Sequence, residues 1–206
     1  LDGAFTATVA GSPATVRIGP SGGAAVQVDT GLTQTGSVHF AQGRLWLLGH
    51  GSSGGQQLLS VSPQGEVTTI DLTALSGELV DISLDASGTR AAVLLGVGEA
   101  ARFGVVSLSE GNRVTDWHEV PLTASQGREL SDAVALDWTG EVNVAVVASA
   151  GSGRSVFVVA VDGSEVIDLG PVSLSPVQVT ALPRPGGDAV ALRAIDGTVL
   201  LYEQHG

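Results

Sequence analysis

Gly51-Ser52-Ser53-Gly54-Gly55, with His50 immediately before it, fits the G-x-S-x-G pattern of a nucleophile elbow. That pattern would make Ser53 an acyl-transfer nucleophile with His50 as a base beside it. An elbow needs a strand, a sharp turn bearing the serine, and then a helix whose N-terminus supports the oxyanion. Here the downstream run QQLLSVS alternates with the period of a strand. Four glycines between Gly49 and Gly55 also make the tip too loose to hold a Ser–His pair in register. Ser53 is therefore expected in a hairpin turn, and His50 as a solvated turn residue.

Other patterns meet the same test. Gly96-Val97-Gly98 with Ala101 imitates a dinucleotide fingerprint after the strand RAAVLL, but the strand-like RFGVVSLS follows where a helix is required. AGSGRS near residue 150 imitates a phosphate loop, yet the chain contains no Lys to complete it. Both are read as hairpin tips. His39, His50, His118 and His205 stand singly, so a metal site would need the fold to gather them. Asp81, Asp85, Asp137, Asp162 and Asp196 fall at strand starts or turns, where the carboxylate caps nearby backbone. A glycosidase carboxylate pair drawn from separate blades stays open, although no spacing favours it. No catalytic, metal-binding or cofactor-binding residue is assigned, and no cofactor is expected.

Composition narrows the partners. The 206 residues are 43% hydrophobic with a mean hydropathy of +0.32, enough for one well-packed domain. All 9 basic residues are Arg and they are scattered, against 21 carboxylates and a net charge of −12. Phosphate backbones bind clustered cations, so nucleic acid is not an expected partner. No apolar run approaches the roughly 18 residues of a membrane span, and the N-terminal LDGAFTATVAG lacks the basic and apolar regions of a signal peptide. Absence of Cys excludes disulfides, thiolate metal sites and cysteine nucleophiles.

The elements that would position any site are short β-rich runs separated by Gly-containing turns. A glycine that closes a turn before a strand recurs at Gly3, Gly43, Gly88, Gly140 and Gly187, with steps of 40, 45, 52 and 47 residues. A shorter strand precedes the later anchors, as in SVHFA, VDISLD, AVALDW and VQVTAL. That period matches four-stranded propeller blades. The expected fold class is all-β: a β-propeller of four-stranded antiparallel blades, five blade-equivalents in a single domain over 1–206. Approximate blades are 1–31, 32–76, 77–125, 126–174 and 175–206. The first repeat lacks its first strand and the last its fourth, so the chain is expected to be a fragment of a larger domain. A β-sandwich is the alternative architecture.

One segment stands apart. In RVTDWHEVPL, Arg113, Trp117 and His118 belong to the outermost strand of their blade. Trp117 is expected either as edge packing or, if exposed, as a partner anchor, since Trp and Arg dominate interface hot spots. These three residues are the candidate partner-binding set.

With the repeat in place, LVDISLDASGTRAAVLLGVGEAARFGVVSLS resembles the β-propeller domain of the actinobacterial lipoprotein LpqB, where an SxDGtRvAvv strand pair precedes a reporter-like strand. The resemblance continues through ELSDAVALDWTGEVNVAVV and SVFVVAVDGSEVIDLG to VQVTALPRPGGDAVALRAIDGTVLLY, and upstream to SVHFAQGRLWLLGH and QQLLSVSPQGEV. Asp85-Ala86-Ser87-Gly88 departs from it by expanding the family's Asp-Gly turn. The resemblance implies a lipoprotein anchored on the outer face of the cytoplasmic membrane, with a GerMN-type domain before the propeller. It also implies association with the extracellular sensor region of the Mtr two-component kinase, in signalling linked to cell wall and division. The family offers no catalytic residues.

The expected function is a non-catalytic extracytoplasmic protein-interaction domain that is not an enzyme. Its membrane attachment would lie outside this sequence, through a lipid anchor, leaving this fragment soluble. The alternative is an extracytoplasmic propeller hydrolase or glycan-binding module with Asp and His supplied from blade loops.

Overall fold

The computed structural model describes residues 5–96, 101–109, 112–121, 123–124, 128–151, 153–173, 175–182 and 189–203. The chain forms two compact units, Leu1–Leu75 with Leu108–Thr115, and Ser76–Ser107 with Asp116–Gly206.

The first unit holds two antiparallel sheets. Blade 1 comprises β1 (Phe5–Ala10), β2 (Thr15–Pro20) and β3 (Val26–Asp29), in that spatial order. Blade 2 comprises β4 (Leu32–Ala41), β5 (Arg44–Gly51), β6 (Gln56–Val61) and β7 (Val67–Ile70), again as a meander. Val16 and Ile18 of β2 alternate with the exposed Arg17, which turns one face of blade 1 inward. They meet Leu45 and Leu47 of β5 and Leu59 and Val61 of β6 in one core. β5 is buried at five consecutive positions, Leu45 to Gly49, the pattern of a strand covered on both faces.

The second unit carries three sheets. Blade 3 runs from β8 (Leu79–Leu84) through β9 (Arg90–Leu95) and β10 (Arg102–Ser109) to β11 (Arg113–Glu119) at its edge. Leu108–Thr115, at the end of β10 and the start of β11, is the exception and counts with the first unit. Blade 4 comprises β12 (Thr123–Ala124), β13 (Arg128–Trp138), β14 (Asn143–Ala150), β15 (Gly153–Ala160) and β16 (Val166–Pro171). Its two-residue β12 pairs with the start of β13, so this sheet has one short strand more than the repeat implies. Blade 5 comprises β17 (Pro176–Leu182), β18 (Ala189–Ala194) and β19 (Val199–Glu203). Leu94, Phe103, Leu136, Val146 and Phe157 fill the core between blades 3 and 4. Val147, Val156, Val179, Val190 and Leu192 fill the one between blades 4 and 5. A fully buried side chain of this size stabilises the fold by about 1.5–3 kcal/mol, so sheet-on-sheet burial dominates.

The structure is all-β, a propeller of five blades whose first and last sheets have three strands among the described residues. The recurring glycine has a local cause at two anchors. Gly43 (φ 67°) and Gly88 (φ 64°) both turn the chain into the next strand through the left-handed region, which side-chain-bearing residues disfavour. Among the described residues no helix is long and apolar enough to cross a membrane.

Candidate functional site

Ser53 lies exposed in the hairpin between β5 and β6. The Gly51 N–H donates to the Gly55 carbonyl at 2.9 Å and the Gly54 N–H to the Gly51 carbonyl at 2.9 Å, with Gly54 at φ 79°. β6 follows directly, so the helix of an elbow is absent at this turn. His50 is not in the turn itself. It is a half-buried member of β5, paired with Gln34 and Gln56, because β5 continues to Gly51.

The AGSGRS segment is likewise a tip, with Ala150 paired to Gly153 and Gly151 at φ 70°. Val97–Ala100, the heart of the dinucleotide-like pattern, lies outside the described residues, as does His205. His39 sits in β4 and His118 in β11. Among the described residues no three His, Asp or Glu side chains gather as a metal site.

The aspartates divide into two kinds. Asp162 and Asp196 are turn residues, each accepting a 2.9 Å bond from the backbone N–H two residues on. The bonds from Ser164 to Asp162, and from Thr198 to Asp196, hold both carboxyls below their ordinary value. Asp85 anchors the β8–β9 turn, taking Ser87 Oγ at 2.8 and 2.9 Å and Arg90 Nε at 3.0 Å. Burial pushes this carboxyl up, but the bonds from Ser87 and Arg90 outweigh it and its pKa is lowered. Arg90 also donates to the Glu141 carbonyl of blade 4 at 2.8 Å and stands over the Trp138 ring at 5.2 Å.

Asp81 and Asp137 are not turn residues. They lie within β8 and β13, the strands at which blades 3 and 4 approach their neighbours. Asp81 Oδ2 accepts the Leu136 N–H of blade 4 at 2.9 Å, and Asp137 Oδ2 accepts the Ala181 N–H of blade 5 at 2.7 Å. Ser83 Oγ completes the seam, donating to Asp137 Oδ1 at 2.5 Å and accepting from the Trp138 N–H at 3.2 Å. With each oxygen of both carboxylates held by a backbone N–H or the Ser83 hydroxyl, Asp81 and Asp137 tie neighbouring blades together.

The remaining surface is β11, the edge of blade 3. Arg113 and His118 are exposed and Trp117 is half-buried. Backbone bonds fix Arg113: the Asp71 N–H donates to the Asn112 carbonyl at 2.8 Å and the Val114 N–H to the Asp71 carbonyl at 3.0 Å. Thr73 chiefly lowers the Asp71 carboxyl's pKa, with Arg113 adding a smaller attraction. Trp117 lies over Gly104 of β10, so close that a methyl group there would stand 2.6 Å from the ring. Arg102 covers the ring from 5.8 Å while holding the Ser76 carbonyl at 2.7 Å and Glu119 at 3.6 Å. Trp117 and His118 adjoin, whereas Arg113 sits four residues away at the other end of the strand. The structure thus gives Trp117 a half-buried ring packed on Gly104 and covered by Arg102.

The comparisons with known proteins bear on this arrangement. The chain has a fold likeness to a chain in a nidogen/laminin complex, with a TM-score of 0.63 and 14% identity over 93% of this chain and 70% of that one. A putative TolB from Agrobacterium tumefaciens gives a TM-score of 0.56 and 14% identity over 99% of this chain and 84% of that one. At such identities these likenesses speak for the fold alone. No curated protein matches. A model of the lipoprotein LpqB β-propeller domain matches residues 1–190. This chain belongs to the LpqB lipoprotein β-propeller family, and its propeller is a non-catalytic module of the interaction type.

Proposed function

We propose that this domain acts on the extracytoplasmic face of the membrane, held there by a lipid anchor elsewhere in its lipoprotein. Its partner is the extracellular sensor region of a two-component kinase. Membership of the LpqB propeller family over residues 1–190 carries this reading. The β11 edge supports a place for the contact. Trp117 is immobilised by Gly104 and Arg102, so little ordering entropy remains to oppose binding. Exposed His118 adjoins it on the same strand.

A glycan-binding role needs exposed aromatics converging on one face. Phe103, Phe157, Trp46 and Trp138 are buried in the sheets, and among the described residues Phe40 is the one exposed aromatic, which weighs against it. The test is capture of the purified domain by the immobilised extracellular sensor region, with a glycan array in parallel. Binding that falls at least tenfold in Trp117→Ala, with an unchanged melting temperature, supports the reading. Undiminished binding by Trp117→Ala removes β11 from it, and glycan capture without sensor capture overturns it.

A further inference from the structure

Arg102 and Gly104 stand two residues apart in β10, so they point to the same face of blade 3. Phe103 between them points the other way, into the core between blades 3 and 4. Gly104 offers no side chain on its face, and the Trp117 indole of β11 fills the space above it. One place along the same face, the Arg102 guanidinium lies over that ring, 5.8 Å from its centroid.

The guanidinium is fixed but not used up. Nη2 donates to the Ser76 carbonyl at 2.7 Å and to Ser76 Oγ at 3.3 Å. Nη1 stands 3.6 Å from Glu119 Oε2, beyond hydrogen-bond length. A guanidinium presents N–H donors on Nε, Nη1 and Nη2 in one plane. Those on Nε and Nη1 have no acceptor at hydrogen-bond length among the described residues. The two side chains of the ion pair are 40% and 53% exposed, and such a pair contributes little. Glu119 therefore occupies the fork without closing it.

We propose that Arg102 is the specificity-determining residue of the β11 edge, its fork taking a carboxylate of the partner protein in the place Glu119 holds loosely, a role that rests on β11 being the contact. Ser76 and Trp117 already hold the long side chain in one place, an ordering that binding would otherwise have to supply. A carboxylate fits because its two oxygens match the planar fork with parallel N–H bonds. Lysine would keep the charge without the fork or its contact with the ring. The net charge of −12 repels an acidic group at a distance. The attraction therefore acts at contact, inside the screening length of roughly 8 Å at physiological ionic strength.

Two measurements test this. In the first, an acetylated, amidated tetraglutamate peptide is titrated into the domain, with tetraglutamine as control. The NMR signals of the Arg102 Nε–H and the Trp117 indole N–H report binding. Tetraglutamate is expected to shift both signals and tetraglutamine neither. Glu119→Gln removes the competing carboxylate, so half-saturation should fall about two- to fivefold. Arg102→Lys should lose the indole shift. Signals that tetraglutamate does not move overturn the proposal, whether or not the sensor region binds. So does equal half-saturation in the parent and Glu119→Gln.

The second measurement is capture by the immobilised extracellular sensor region. Glu119→Gln should strengthen it, and Arg102→Lys should weaken it by about tenfold, both at an unchanged melting temperature. Capture that Trp117→Ala abolishes and Arg102→Lys leaves intact keeps β11 as the contact and overturns the fork. Tetraglutamate binding without capture supports the fork as a carboxylate site and overturns the sensor region as its partner.

Discussion

Asp81 of blade 3 and Leu136 of blade 4, 55 residues apart, are joined by a 2.9 Å bond from a backbone N–H to a buried carboxylate. The other oxygen of Asp81 accepts the Ile82 N–H at 2.9 Å. A buried backbone donor that loses its acceptor costs about 1–3 kcal/mol. Asp81→Ala is therefore expected to destabilise the domain by that order, while Asp81→Asn, which keeps one carbonyl acceptor, costs less. Urea unfolding at neutral pH measures both. An alanine variant within about 0.5 kcal/mol of the parent, as for an ordinary surface change, would contradict this role.

Ser53→Ala is expected to leave stability within about 0.5 kcal/mol of the parent, because the side chain projects from an exposed turn. Chemical labelling gives a second check. A serine-reactive fluorophosphonate should not label the parent at this position, and labelling that vanishes in the variant would reinstate Ser53 as a nucleophile.

Much of this arrangement is legible in the sequence. Glycine-anchored strands at propeller spacing give the blades, and the strand that follows the Gly-rich tip at Ser53 exposes the elbow pattern as a turn. Asp81 and Asp137 were harder to place. In the linear sequence an Asp beside a strand reads as a turn residue, and its acceptor role appears only when the neighbouring blade supplies the donor. The seat of Trp117 did leave a trace: Gly104 interrupts the β-rich RFGVVSLS, and a glycine inside a strand often marks close approach by another group.

Acid should weaken the fold in a way that Asp85 shares. Its folded pKa lies below its ordinary value of 3.8, so its stabilising effect is complete above that value. The effect is lost as pH falls through the depressed folded value. Asp71, Asp162 and Asp196 are shifted in the same direction and add to the same limb. Asp85→Asn should be less stable than the parent at pH 7, and the gap should narrow as the pH approaches 3. Denaturant midpoints across that range decide it; a gap that stays constant would show that the charge on Asp85 contributes nothing.

Gly104→Ala tests the seat of Trp117. The added methyl would stand 2.6 Å from the ring and 2.6 Å from the His118 carbonyl oxygen, closer than atoms in contact can approach. Because one of these atoms is backbone, the ring and the end of β11 must both move. Overpacking of this kind costs about 1–3 kcal/mol. The displaced indole also loses its cover from Arg102, so its emission should shift to longer wavelength, whereas Trp46 and Trp138 are buried elsewhere and should not change. If β11 is the contact, capture by the sensor region should weaken in Gly104→Ala at temperatures where the variant is still folded. An unshifted emission spectrum with undiminished stability would mean that the ring does not rest on Gly104, and the pre-packed anchor would lose its physical basis.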